Sequence, residues 1–295
     1  EAVKDLAQQT GMVVPEEDIS PQDRAIAAAQ KQKQASLSDM LEKAASAYQQ
    51  HLKNAPTAVT YLKGRGLSGQ IAKRFGLGYA PEGWRSLASI FPEYDDPLLA
   101  ESGLVIVNEE DGKRYDRFRD RVMFPIRNIK GECIGFGGRV MGDGTPKYLN
   151  SPESDIYHKS KVLYGIYYAK QTIAKEDNCY LVEGYTDVIQ LYQKGVKNVV
   201  SSSGTALTPD QIRLINRLTK NITVLFDGDP AGIRAALRGI DLILEQGMNV
   251  KICTFPEGED PDSFARSHTL EEIKEYLKNV SKRRKNSIPN KRRFI

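Results

Sequence analysis

Leu37, Met40, Leu41, Ala44, Tyr48 and Leu52 recur at steps of three and four residues, which predicts an amphipathic helix from Ser36 onward. The stripe stops at Asn54-Ala-Pro56, where proline cannot extend a hydrogen-bonded turn. A shorter helix is predicted over Thr57 to Lys63, closed by Gly64-Arg-Gly66, and Ser68 can cap a third over Gly69 to Phe75. Residues 1–35 read differently. They open with a short helical stretch, pass through Pro15-Glu-Glu-Asp-Ile-Ser-Pro21 and continue as an Ala/Gln/Lys run without a strong apolar face. That is the pattern of a linker and a solvated helix.

The period changes between residues 104 and 141. Tyr115, Arg117, Arg119 and Arg121 alternate with Asp116, Phe118 and Asp120, so a continuous strand would carry the arginines on one face and the aspartates on the other. Val122–Arg127 and Glu132–Gly137 flank an Asn128-Ile-Lys-Gly131 turn, which predicts a β-hairpin. Gly142–Pro146 reads as a loop and Val162 to Ala174 as a helix. From Asn178 the chain alternates strand and helix. The strands are Tyr180–Val182, Val199–Ser202, Ile222–Phe226 and Val250–Phe255, with helices starting near Thr186, Thr208 and Pro230. Thr208-Pro-Asp-Gln211 offers a cap, a first-turn proline and a capping-box partner, and Gly247 closes the helix begun at Pro230. The fold class is therefore α/β: an α+β N-terminal part followed by a mostly parallel sheet flanked by helices. There is no internal repeat.

Composition narrows the class without naming a function. A chain of 295 residues with 40% hydrophobic and 27% charged content fits a globular protein of two domains. No run approaches the ~18 apolar residues of a membrane span, and the start lacks the charged and apolar regions of a secretory signal. Cys133, Cys179 and Cys253 are isolated, which fits small buried thiols in a reducing cytoplasm and predicts no zinc site. The net charge of +4 is misleading, because seven basic residues and no acid lie in the last fifteen positions. Without them 35 basic residues face 38 acidic ones, so any affinity for nucleic acid must come from local patches. The tail itself reads as a disordered basic segment.

Acidic signatures supply the chemistry. Leu181-Val-Glu-Gly-Tyr-Thr-Asp187, Phe226-Asp-Gly-Asp229 and Glu259-Asp-Pro-Asp262 each follow a predicted strand of the parallel sheet. Functional groups in such sheets gather beyond the carboxyl ends of the strands, so Glu183, Asp187, Asp227, Asp229, Asp260 and Asp262 are expected near one edge. Gly184 and Gly228 leave room for a metal or phosphate beside them. Hard oxygen donors in this number suit Mg²⁺ or Mn²⁺, whose charge relieves the repulsion among carboxylates and can polarise a phosphate.

This set resembles the Toprim domain shared by bacterial primases, topoisomerases and some nucleases. Arg119–Arg127, Gly135-Phe-Gly-Gly-Arg139, Thr145-Pro-Lys-Tyr-Leu-Asn-Ser-Pro152 and Tyr61-Leu-Lys-Gly-Arg-Gly-Leu67 resemble the core of the bacterial replicative primase family, the DnaG type, over roughly residues 37 to 265. The resemblance implies a linker over residues 1–35, an N-terminal α+β subdomain over 36–167, a Toprim catalytic subdomain over 168–268 and a helix with a basic tail over 269–295. It implies that Glu183 is the catalytic carboxylate, that Asp227 and Asp229 are metal ligands, and that Asp260, Asp262 and Asp187 complete or support the site. The expected reaction is attack of a ribonucleotide 3′-hydroxyl on the α-phosphate of an NTP.

The same resemblance places Arg139, Lys147 and Lys159 on nucleotide phosphates or product duplex. It places Arg117, Arg119, Arg121 and Asn150 on a single-stranded DNA template. Tyr115, Phe118, Tyr148 and Trp84 are candidates for base stacking. A replicative helicase and a single-strand binding protein are expected partners of the full-length protein, and no membrane is. Neither a Cys/His zinc ribbon before residue 37 nor a helicase-binding domain after the acidic region is present, so the chain reads as a catalytic core alone. The alternatives are a Toprim nuclease or topoisomerase-like enzyme, and a non-catalytic Toprim DNA-binding module. The basic 115–152 block favours the primase reading.

Overall fold

The computed structural model describes residues 20–204, 206–226 and 239–285. The chain forms two compact units, residues 1–36 and 37–295. Helix α1 (Pro21–Lys53) is exposed through residue 32, as its polar composition dictates, and Lys33, Gln34 and Ser36 are half-buried. From Leu37 its periodic face is buried through Leu41, Ala44, Tyr48 and Leu52. Helix α2 (Pro56–Gly64) has proline in its first turn, and α3 (Gly69–Phe75) is capped by Ser68, whose hydroxyl accepts the Ile71 N–H at 3.3 Å. The three helices match the apolar spacing.

Strand β1 (Gly78–Ala80), the short helix α4 (Pro97–Glu101) and the ribbon of β2 (Val105–Val107) with β3 (Arg114–Asp116) follow. Strands β4 (Arg121–Arg127), β5 (Cys133–Val140) and β6 (Tyr148–Asn150) join β1 in an antiparallel sheet of order β1-β4-β5-β6. The predicted β4–β5 hairpin is present. Asn128 Oδ1 accepts the N–H groups of Lys130, Gly131 and Glu132, which fixes its turn. The continuous strand expected through residues 115–121 is not. Strand β3 ends at Asp116, and Asp120 adopts φ +49°, a left-handed turn that breaks the two-residue alternation.

Helix α5 (Ile166–Glu176) begins four residues later than the apolar pattern suggests, because Gly165 sits at φ +86° with Val188 and Val199 crowding its Cα. Strands β7 (Cys179–Val182), β8 (Val199–Ser201), β9 (Asn221–Phe226) and β10 (Asn249–Thr254) form a second sheet of order β10-β9-β7-β8, parallel throughout. Helix α6 (Tyr185–Gln193) follows β7, and α7 (Pro209–Asn216) follows β8 with the expected Thr208–Gln211 capping box. Of the helix expected from Pro230, residues 239–245 are described, and Gly247 at φ +69° closes it. Helices α8 (Pro261–Ser267) and α9 (Leu270–Lys285) complete the described chain. None of the described helices is long and apolar enough to cross a membrane.

A continuous apolar core joins the two sheets. Leu52, Leu62 and Phe75 from the helices, Phe124 from β4 and Tyr185, Val188 and Leu191 from α6 pack in one cluster. One close approach is at Gly137 on β5, where a Cβ would run into the Tyr185 ring. Glycine is required there for contact, not for a turn.

Candidate active site and nucleic-acid interface

The turn from β7 into α6 assigns a different job to each residue of the first acidic signature. Glu183, one residue past the strand, is exposed, while its carbonyl accepts the Ser201 hydroxyl at 2.6 Å and the Gly204 N–H at 3.2 Å. Gly184 is the helix N-cap, and Asp187 Oδ2 accepts its N–H at 2.9 Å. Tyr185 points the other way, into the core. It stacks on Phe124 at 5.2 Å and donates its hydroxyl to Asn150 Oδ1 at 2.8 Å. Thr186 is buried facing Arg65, with 3.4 Å between Oγ1 and the guanidinium.

The third signature is held more tightly than its sequence suggests. Asp260 caps α8 by accepting the Ser263 N–H at 2.6 Å, and Ser263 Oγ accepts the Asp260 N–H in return. Asp262, 1% exposed, pairs through Oδ2 with Arg65 at 2.7 Å and with Arg266 at 3.6 Å. Its Oδ1 has no hydrogen-bond partner among the described residues. Burial raises the Asp262 carboxyl above the ordinary carboxylate value and outweighs the pull of Arg65 and Arg266. Arg65 was not singled out from the sequence, although it lies inside the Tyr61–Leu67 segment. Only the fold shows that the α2–α3 loop brings this cation to an acid almost two hundred residues away.

Arg139 on β5 lies 4.9 Å from the Tyr61 ring centre and 5.8 Å from that of Tyr148. Burial raises the Tyr148 phenol above the usual value, against the pull of Arg139 and Arg65 nearby. Arg139 thus sits between the rings of Tyr61 and Tyr148, and Arg65 joins Thr186 to Asp262. Lys147 is exposed at the start of β6. Lys159 is half-buried in a short 3-10 turn fixed by Gln211, which donates to the carbonyls of Lys159 and Val162 at 3.0 and 2.8 Å. Asn150 bridges the halves, taking the Tyr185 hydroxyl and donating to the Ser203 carbonyl at 3.3 Å.

The three arginines of the basic block do not share one open strand face. Arg121 is 7% exposed and donates to the carbonyls of Gly138 and Pro146 at 3.1 and 3.0 Å, and burial lowers its pKa. It closes the β4–β6 region and offers no open face to a strand of nucleic acid. Arg117 is half-buried with its guanidinium on the Asn150 carbonyl. Arg119 lies over the ring of Trp84 at 4.0 Å and near that of Tyr115 at 5.3 Å, and Trp84 is 63% exposed. Phe118 is core, edge-on to Phe136. Asp116, expected opposite the arginines, is buried and accepts from Tyr94 Oη at 2.7 Å and from the Leu87 N–H at 3.0 Å.

Asp227 and Asp229, like the tail residues 286–295, lie outside the described residues. Among the described residues no three His, Cys, Asp or Glu side chains gather to hold one metal ion. The donor chemistry still fits a hard cation at this edge. Glu183 is an exposed carboxylate, Asp262 keeps one oxygen without a hydrogen bond, and the three cysteines are buried elsewhere. A cavity of about 450 Å³ opens beside Glu183, lined by the ends of β7 and β9.

Residues 47–170 match the family model for the DNA primase catalytic core, N-terminal domain, and residues 180–265 match the Toprim-like model. A DNA primase of Pseudomonas aeruginosa is 46% identical over 275 residues, which make up 90% of this chain and 41% of that relative. The chain thus spans less than half the length of the curated relatives it matches. The crystal structure of a DNA primase domain from Pseudomonas aeruginosa superposes with a TM-score of 0.78 at 46% identity, over 82% of this chain and 78% of the other. The DnaG primase catalytic domain bound to ssDNA gives 0.76 at 41% identity, over 85% and 82%. The two matched regions run in chain order through the antiparallel and then the parallel sheet, and the chain belongs to the DnaG-type DNA primase catalytic-core family.

Proposed function

We propose that this chain carries the nucleotidyl-transfer centre that makes short RNA primers on single-stranded DNA. The observation that carries the reading is the β7–α6 turn, which exposes Glu183 and ties Thr186, three residues on, to Arg65. A negative group for metal and a positive set for phosphate thus stand on one short segment and its neighbours. The printed name of one solved relative, a catalytic domain bound to ssDNA, supports the template.

In the proposed reaction a primer 3′-hydroxyl attacks the α-phosphate of an NTP, the bond to the β-phosphate breaks, and pyrophosphate leaves. Mg²⁺ or Mn²⁺ held by Glu183 with Asp227 and Asp229 would supply Lewis-acid polarisation of that phosphate. Asp187 and Asp260 support this edge by capping the helices that carry it, and Asp262 holds Arg65 in place. Arg139, Lys147 and Lys159 bind triphosphate oxygens or the product backbone. Arg117 and Arg119 track the template beside Trp84, Arg121 holds the strand that carries them, and Asn150 positions the template groove against the Glu183 loop. Carried in a longer protein, this centre would act in the cytoplasm with a replicative helicase and a single-strand binding protein.

The test is incorporation of labelled ribonucleotides on single-stranded DNA with Mg²⁺ or Mn²⁺. Glu183→Gln should abolish synthesis and leave oligonucleotide binding within twofold. Synthesis by the variant at the parent rate, or DNA cleavage without synthesis, would refute the reading.

A further inference from the structure

The parallel sheet has a second edge, and it too is built. Asn178 and Asn198 immediately precede β7 and β8, while Asn221 and Asn249 begin β9 and β10. Asn249, Asn221 and Asn178 follow the strand register across the amino edge, and Asn198 lies one residue out of it. They are tied to one another: Asn198 Nδ2 donates to the Asn178 carbonyl at 2.8 Å, and Asn249 Nδ2 donates to Asn221 Oδ1 at 3.0 Å. This row floors a groove of about 1020 Å³, with Tyr180 half-buried in its wall.

Lys197, Lys251, Lys274 and Lys278 line the same groove, all exposed, and none forms an ion pair among the described residues. Lys274 and Lys278 are one helical turn apart on α9 and lie side by side. The lining also holds Glu176 and Asp177, both exposed, and Asp177 accepts from Thr219 Oγ1 at 2.7 Å and from Asn221 Nδ2 at 3.0 Å, so four lysines stand against two carboxylates. The groove is thus a cationic rim over a mixed floor, where Val196, Leu244, Val250 and Leu277 lie with the carboxamides beside Tyr180. Lysines answer phosphates, and a tyrosine face among apolar side chains answers a base of any sequence.

We propose that this amino-edge groove is a second binding site for single-stranded nucleic acid, remote from the Glu183 edge. Five residues of strand separate Asn178 from Glu183, about 16 Å at the usual rise per residue. A strand held here does not compete with one held beside Arg119. The proposal stands independently of the activity proposed above, because it requires binding only.

The test is the stoichiometry of a short oligothymidylate of about six nucleotides, within the usual range of single-strand site sizes. The parent chain should bind two. The Lys197→Ala/Lys251→Ala/Lys274→Ala/Lys278→Ala variant should bind one, with an unchanged thermal melt and with quenching of Trp84 at the first site intact. The matching Lys→Arg variant should bind two, which separates charge from folding. A stoichiometry of one for the parent, or of two for the alanine variant, overturns the proposal. So does a groove that takes polyglutamate but not the oligonucleotide.

Discussion

Tyr185 and Asn150 are joined by a 2.8 Å hydrogen bond between a ring that starts helix α6 and a carboxamide that ends strand β6. One residue belongs to the acidic signature and the other to the basic block, so this bond sets the distance between the two chemistries. Asn150 extends the link to the Ser203 carbonyl, beside the Gly204 N–H that holds the Glu183 carbonyl.

Gly137→Ala should destabilise the chain by about 2–3 kcal/mol, because the added methyl meets the Tyr185 ring and both lie in regular structure. Gly142→Ala, with nothing within 4 Å, should stay within about 0.5 kcal/mol of the parent. Urea denaturation of the two variants measures the contrast. Equal losses would mean that the sheets do not touch at Gly137.

Arg65→Met leaves Asp262 buried with only the more distant Arg266 beside it, and should cost about 3 kcal/mol. Adding Asp262→Asn to the same chain should recover most of that loss. A double-mutant cycle with no coupling would show that the 2.7 Å pair contributes nothing specific.

Trp84 is the sole tryptophan, so its emission reports one place. Oligothymidylate should quench it, and Arg119→Ala should weaken that quenching about fivefold or more by removing a cation from the aromatic patch. Raising the salt concentration should weaken binding in the parent more steeply than in the variant. An oligonucleotide that binds without changing the emission would place the template elsewhere.

The thiols should be silent in the native protein. Burial pushes Cys133 up to about 12 and raises Cys179 as well, and Cys253 is also fully buried. At pH 8 the thiolate fraction of Cys133 is then about one in ten thousand. A disulfide reagent at pH 8 should count fewer than one reactive thiol per folded chain and three after denaturation. Immediate reaction of a native thiol would contradict this packing.

The parallel sheet was legible because each strand is a short apolar run and each helix start carries its own cap, as at Thr208. The hairpin was legible because Asn128 and Gly131 specify its turn locally. What local pattern could not show were contacts between distant segments. The residue alternation around Arg119 looked like strand, yet Asp116 is drawn inward by Tyr94 and Leu87, and the chain turns at Asp120. Arg121 looked like a surface cation, yet two carbonyls from a neighbouring strand and loop enclose it. Arg65 carried no sign of its partner because the acid it meets is on the far side of the sequence. Glu183 needed no such help, since its place at the end of a strand is set by its immediate neighbours.

The apolar core that runs from Leu52 through Phe124 to Leu191 has a consequence for ancestry and engineering. A parallel sheet of this kind is commonly treated as a portable cassette, movable between proteins with its acids intact. In this chain the cassette has lost its independence. Lifted out alone, it would carry the naked ring of Tyr185 into water and leave Asp262 with only the more distant Arg266, so any graft must bring the α2–α3 loop and strand β5 with it.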